Sequence, residues 1–204
     1  MPEKVRLFKE YIATYRQCKD DVERENTRQK IWDTFGEKRA TLITDMSGFT
    51  LKSHQYGSVH YLSMIAMVEE VVREVVTAHQ GVVIKCEADN TFSVFEESEQ
   101  ALEASLSINK ILQKENAFLE EKFHVDVACG IAYGRILVLE NDIYGKSVII
   151  ASKLGEDVAK KGEILMSKEA YDSFDADTYT KTHTTLELSK VEVACYYITK
   201  GIRC

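Results

Sequence analysis

The chain has 204 residues, with 33 acidic against 26 basic side chains and a formal net charge of −7. That length suits one domain with a sizeable core plus an extension, and the acidic balance without a long basic tract argues against nucleic-acid binding over a broad positive surface. Five cysteines (18, 86, 129, 195 and 204) include no CxxC pair, and five histidines form no spaced cluster. This fits a reducing, cytoplasmic setting rather than a disulfide framework or a zinc site. No apolar run approaches the length of a membrane span, and the charged N-terminus does not read as a signal peptide.

Residues 2–35 are highly charged and free of breakers after Pro2. Phe8, Tyr11, Ile12 and Tyr15, then Ile31, Trp32 and Phe35, recur at helical spacing, which predicts one or two amphipathic helices ending near Gly36. Such helices either pack on the domain or serve dimerisation or signal input. Residues 40–46 read as a buried strand. Ser58–His79 reads as a long helix with Met64, Ile65, Val68, Val71, Val72, Val75 and Val76 on its apolar face, stopped at Gly81. Val82–Cys86 and Thr91–Phe95 form a hairpin around Ala88-Asp89-Asn90. A second amphipathic helix follows over Glu99–Leu119. Val125–Ala132 and Arg135–Leu139 read as two strands around Tyr133-Gly134. Ser147–Lys160 reads as a helix, Glu163–Ser167 as a strand, and 183–199 as a last hairpin. The order strand–helix–strand–strand–helix–strand predicts an α+β fold with a ferredoxin-like split βαβ sheet. Residues 1–37 are then a helical extension and 38–204 the main domain.

In that topology the third strand lies between the first two, so Asp45 at the end of the first strand comes close to Asp89 in the hairpin. Carboxylates on rigid strand ends suit hard divalent cations. Ser47-Gly48-Phe49-Thr50, just after Asp45, is a turn that leads towards a helix and can offer backbone N–H groups to phosphate oxygens. Acids for metal ions beside a phosphate cradle point to chemistry on a nucleoside triphosphate.

Three segments in order carry a family resemblance: Asp45-Met46-Ser47-Gly48-Phe49-Thr50, Lys85 followed by Asp89, and Asp142-Ile143-Tyr144-Gly145-Lys146-Ser147-Val148-Ile149-Ile150-Ala151-Ser152-Lys153. Over residues 38–200 the chain resembles the class III nucleotidyl cyclases, the adenylate and guanylate cyclases. The resemblance implies a homodimer with active sites shared between two chains and two divalent cations, Mg2+ or Mn2+, as cofactors. It implies metal ligation by Asp45, Asp89 and the backbone carbonyl of Met46, and phosphate binding by residues 47–50. The partner chain would supply base recognition through Lys85 and Asp142. A lysine to donate to ring N1 and an acid to accept from the exocyclic amine suit adenine, so ATP is the implied substrate and cyclic AMP the product. Lys190 is the best counterpart of the family's terminal phosphate-binding lysine.

Two positions depart from the family pattern. Ile149 stands where the family carries an asparagine that orients the ribose, and Lys153 stands where it carries an arginine that stabilises the transferring phosphoryl group. Isoleucine cannot hydrogen-bond, and lysine lacks the planar two-pronged geometry. Losing one preorganised donor costs roughly 2.7–4 kcal/mol of transition-state stabilisation. These departures keep open a second reading, a cyclase-homology module that binds nucleotide, turns over little and acts as a regulatory or heterodimer partner. Plainer roles also compete residue by residue. Strand-end aspartates often only cap turns, Lys85 is opposite Ile84 and Cys86 if alternation holds, and Lys153 sits near Lys160 and Lys161 on a possible solvated face.

Overall fold

The computed structural model describes residues 3–175, 179–188 and 191–199, with the side chains of 49–52, 188 and 191 outside that description. Two helices open the chain, α1 (Glu3–Gln17) and α2 (Asp21–Phe35). The Asp20 side chain accepts a hydrogen bond from the Glu23 backbone N–H at 2.8 Å and starts α2. Gly36 both caps α2 and begins β1 (Gly36–Met46), so no linker separates the helices from the sheet. The predicted aromatic stripe of α1 is only partly covered. Val5, Phe8, Tyr11 and Tyr15 pack with Ile31, Phe35, Leu137 and Leu139, whereas Ile12 stays exposed.

After β1 come a short helix α3 (Phe49–Tyr56), the long α4 (Ser58–Ala78), the hairpin β2 (Val82–Glu87) and β3 (Asn90–Phe95), α5 (Ser98–Asn116) and β4 (Val127–Val138). Then follow β5 (Ile143–Tyr144), α6 (Lys146–Ser152) running into a π-helical segment (Lys153–Val158), β6 (Ile164–Ser167), α7 (Lys168–Tyr171) and the hairpin β7 (Thr180–Leu188) and β8 (Val191–Thr199). The sheet order is β2-β3-β1-β4-β6-β8-β7, with β5 paired to β4. Within it β2, β3, β1 and β4, each antiparallel to the next, have the split βαβ arrangement expected from the element order, and β6 joins β4 in parallel.

Alternation along β1 assigns the two faces of the sheet. Ala40 and Leu42 face the main core with Val68 and Val72 of α4 and Leu102 and Ile108 of α5. Ile43 faces the other side, with Phe92, Val94, Ala132 and Ile136 under Ile143, Val148 and Ala151.

Three expectations need correction. Residues 125–139 are not two strands around Tyr133-Gly134 but one, β4, and Gly134 pairs in register with Arg39. The glycine serves close packing rather than a turn: a Cβ there would meet Ser147 Oγ at 2.3 Å. The helix expected over 147–160 is α-helical only to Ser152 and then widens into π-helix, which seats against the sheet where Gly130 and Gly155 meet; a Cβ on Gly130 would lie 2.4 Å from the Gly155 nitrogen. Finally, a register shift between Val83 and Lys85 breaks the alternation of β2. Ile84 packs against the Phe92 cluster and the Lys85 ammonium lies 4.6 Å from the Phe92 ring centroid, so the two share a face.

Candidate functional site

Asp45 is the penultimate residue of β1, and alternation with Ile43 turns it to the second face of the sheet. Asp89 lies in the two-residue turn Ala88-Asp89 that joins β2 to β3. The β1–β3 ladder ends at Thr44 opposite Thr91, whose hydroxyls are 2.7 Å apart, and this brings the turn alongside Asp45. Ala88 holds φ at +53°, backbone that an L side chain strains to adopt, so the hairpin is kept tight at a local cost.

Both carboxyls are pushed up. Burial raises Asp45 from 3.8 to about 7, helped by the negative charges of Asp89, Glu156 and Asp157. Burial raises Asp89 too, partly offset by a hydrogen bond from its own backbone N–H. Among the described residues no three His, Cys, Asp or Glu side chains already converge as a metal site. Two neighbouring carboxylates are nevertheless enough for Mg2+, which takes one or two acids and completes its shell with water and substrate phosphates. Asp157 is paired with Lys153, but Asp89 and Glu156 still add negative charge around Asp45, which a divalent cation would neutralise, so these residues fit such an ion. Met46 is buried, and Ser47 donates its backbone N–H to the Asp126 carbonyl at 2.9 Å. Gly48, at φ +77°, turns the chain into α3, whose first turn is Phe49 and Thr50.

A second charged cluster lies over Phe92. Lys85 Nζ is 3.0 Å from Asp142 Oδ1 and 3.0 Å from Glu87 Oε1. Asp142 also accepts from the Ile143 N–H at 2.9 Å and, through Oδ2, from the Tyr144 hydroxyl at 2.7 Å. Burial alone would raise Asp142, but the bonds from Tyr144, Lys85 and Ile143 outweigh it and hold the carboxyl below its ordinary value. Burial alone would lower Lys85, and Glu87 and Asp142 outweigh that in turn. The charges acting on Asp45 are Asp89, Glu156 and Asp157, and those acting on Lys85 are Asp142 and Glu87. The carboxyl of Asp45 and the ammonium of Lys85 thus respond to different neighbouring charges.

Ile149 is on α6 and is 64% exposed, an apolar side chain presented to solvent rather than to the core. Lys153, the first residue of the π-helical segment, is exposed and pairs with Asp157 at 2.5 Å. Lys190 lies outside the described residues. Sequence reasoning missed four residues around these clusters. Glu156 and Asp157 add to the charge on Asp45, Tyr144 holds Asp142, and Asn90 has a buried Oδ1 without a partner, one register step beyond Thr91 and so opposite Asp45. Glu156, Asp157 and Tyr144 give no periodic signal, but Asn90 directly follows Asp89 and could have been weighed.

A ferredoxin-like sheet with two acids near a strand end and a glycine turn into a helix beside them is the arrangement expected of a nucleotide-cyclase catalytic domain. Residues 37–200 match the adenylate and guanylate cyclase catalytic domain family, and the chain belongs to it. A protein of Rhizobium meliloti (strain 1021) named "Putative adenylate cyclase 3" is 29% identical over 129 residues, which are 63% of this chain and 22% of that protein. The matched part therefore spans under a quarter of that curated relative. Among solved structures, the adenylyl cyclase CyaB from P. aeruginosa superposes with a TM-score of 0.72 at 18% identity, covering 82% of this chain and 97% of that one. The guanylyl cyclase Cya2 gives 0.73 at 16% identity, covering 82% and 94%. These likenesses establish the fold. No helix among the described residues is long and apolar enough to cross a membrane.

Proposed function

We propose that this chain is a cytoplasmic homodimeric cyclase that converts ATP to 3′,5′-cyclic AMP and pyrophosphate. The observation that carries the base assignment is the Lys85–Asp142 pair, at 3.0 Å within one chain and over the Phe92 ring. A cationic donor beside an ionised acceptor matches adenine N1 and its exocyclic amine, whereas guanine would set its carbonyl against the carboxylate. The 3′-oxygen of the ribose attacks the α-phosphorus in line, the bond to the bridging oxygen of the β-phosphate breaks, and pyrophosphate leaves. Asp45, Asp89 and the Met46 carbonyl hold the divalent cations, Mg2+ or Mn2+. When bound, these supply acidification of the hydroxyl and neutralisation of the triphosphate. Gly48, Phe49 and Thr50 receive the phosphates on backbone N–H groups and Ser47 on its hydroxyl, its own N–H being held by the Asp126 carbonyl; Lys190 contributes a further positive charge to them, and Lys153 offsets charge on the transferring phosphoryl group.

In this reading the Asp45 acids of one chain meet the Lys85–Asp142 pair of its partner across a two-fold axis, which gives two identical sites. Residues 38–204 form the catalytic domain in this reading and 1–37 an extension, with no nucleic acid as partner and no membrane span. Exposed Ile149 favours a second reading, a nucleotide-binding module of low turnover that regulates or pairs with another cyclase chain. Cyclic nucleotide formation from each of ATP, GTP, CTP and UTP with Mn2+ separates the readings. Cyclic AMP as the main product is expected. Cyclic GMP as the main product would overturn the base assignment, and binding of triphosphate without any cyclic product would favour the module.

A further inference from the structure

Asp142 cannot be understood from Lys85 alone. Its Oδ2 takes a 2.7 Å bond from the Tyr144 hydroxyl, and the ring that carries this hydroxyl belongs to β5, a strand of only two residues. Two ladder pairs to β4, Leu137 with Tyr144 and Val138 with Ile143, are a slight anchor for a side chain that is 44% exposed. Further support comes from the N-terminal helices. The Phe8 ring of α1 stacks on the Tyr144 ring, with centroids 5.6 Å apart and planes 12° apart. Phe8 in turn meets Phe35 of α2 edge to face at 5.3 Å. A continuous chain of contacts therefore runs Phe35, Phe8, Tyr144, Asp142, Lys85. Such aromatic pairs contribute beyond their buried area, so loss of one is felt by its neighbours.

We infer that Tyr144 is a positioning residue for base recognition, and that docked α1 sets the base preference of the site by holding Tyr144 through Phe8. The inference rests on the proposed reading of Lys85 and Asp142 as base contacts. Its physical content is directional. With one lone pair of Oδ2 bonded to Tyr144 and Oδ1 bonded to Ile143 and Lys85, the one lone pair left to Asp142, on Oδ2, points along a fixed direction. It stays that of an ionised acceptor, suited to an amino group and not to a carbonyl. Without the hydroxyl the carboxyl can turn. Without the stack the hydroxyl can leave it. Helix α1 thereby becomes the place where an event at the N-terminus would alter substrate choice rather than only overall activity.

The test uses the full chain and binding of 3′-deoxy-ATP and 3′-deoxy-GTP, which occupy the site but lack the attacking hydroxyl, with Mn2+ present. Tyr144→Phe removes the hydroxyl and keeps the ring; Phe8→Ala removes the stack and keeps the hydroxyl. Tyr11→Ala is the control for helix packing in general: Tyr11 of α1, like Phe8, meets Phe35 of α2, at 6.2 Å, whereas the ring stacked on Tyr144 is that of Phe8. In the wild type the adenine nucleotide should bind more tightly. Tyr144→Phe should reduce the ratio of the two dissociation constants about tenfold, the scale of a hydrogen bond to a charged group. Phe8→Ala should reduce it in the same direction, and the double variant no further, because both act through Asp142. Tyr11→Ala should leave the ratio in place. A wild-type preference that survives both Tyr144→Phe and Phe8→Ala overturns this inference alone. A reduction by Tyr11→Ala as large as that by Phe8→Ala also overturns it, as general loosening of the helices. A wild type that binds the two analogues equally, or neither, overturns the proposed function and this inference with it.

Discussion

Removing the Asp45 charge should stabilise the metal-free protein. The carboxyl rises from 3.8 to about 7 in the folded chain, through burial first and then through Asp89, Glu156 and Asp157. The folded state thus keeps a proton that the unfolded chain has released. The stabilising contribution is complete below about pH 4, falls as the pH climbs, and is gone above about pH 7. At about 1.4 kcal/mol per pH unit, the span corresponds to an upper bound of about 4 kcal/mol. Asp45 is only half-buried, and solvent screening reduces this to about 1–2 kcal/mol. In a chain of this size that is a melting-temperature gap of about 2–8 °C. The assay is thermal unfolding of wild type and Asp45→Asn at pH 5 and pH 8, in chelator and then with Mn2+. In chelator the variant should melt higher at pH 8, and the gap should narrow at pH 5. With Mn2+ the wild type should gain and the variant should not. A variant that melts lower than wild type at pH 8 in chelator, or gains as much from Mn2+, would refute both the crowding of charge at Asp45 and its relief by a cation.

Three further outcomes follow from particular residues. Ala88→Gly should relieve the positive φ in the hairpin that carries Asp89 and raise stability by about 1 kcal/mol, read as a shift in denaturant midpoint at constant slope; an unchanged midpoint would mean that Ala88 is not strained. Ile149→Asn restores a hydrogen-bonding group at an exposed position of α6 and should raise turnover with less effect on nucleotide affinity, since the missing contact matters most in the transition state. Equal rates would show that another group has taken that role. Mixing inactive Asp45→Asn and Lys85→Ala chains should recover part of the activity, because a heterodimer rebuilds one intact site. No recovery would sink the shared-site arrangement.

The elements that sequence reasoning located well are those where one periodicity dominates. The apolar face of α4 repeats without interruption, and the β2–β3 hairpin turns at Ala88-Asp89-Asn90. It failed where a residue that usually signals a turn serves packing instead. Gly134 lies within an uninterrupted strand because Ser147 needs the space of its missing side chain. It failed again at Lys85, since a bulge leaves no compositional trace yet reverses which side chains share a face. The acids were legible because strand ends and a known strand order suffice to bring Asp45 and Asp89 together. The partners of Asp142 were not, because Tyr144 and Phe8 meet only through the way residues 139–145 and α1 fold onto the sheet, a tertiary fact with no local pattern.

The two charged units also differ in what a ligand must do to each. The Asp45 carboxyl is pushed up by burial and by Asp89, Glu156 and Asp157, and in the proposed reading a cation relieves that repulsion. The Lys85–Asp142 unit is already satisfied, with both carboxylate oxygens and the ammonium engaged. In the proposed reading, a base must give back as many hydrogen bonds as it disrupts there, because a partly buried charge left unpaired costs more than a neutral bond contributes. Adenine meets that condition with an acceptor for Lys85 and a donor for Asp142. A base that brings a carbonyl to Asp142 breaks the resting pair without replacing it. Discrimination then comes less from attraction to adenine than from the loss imposed on its competitors, which is how sites built around a polar pair reject ligands that lack its complement.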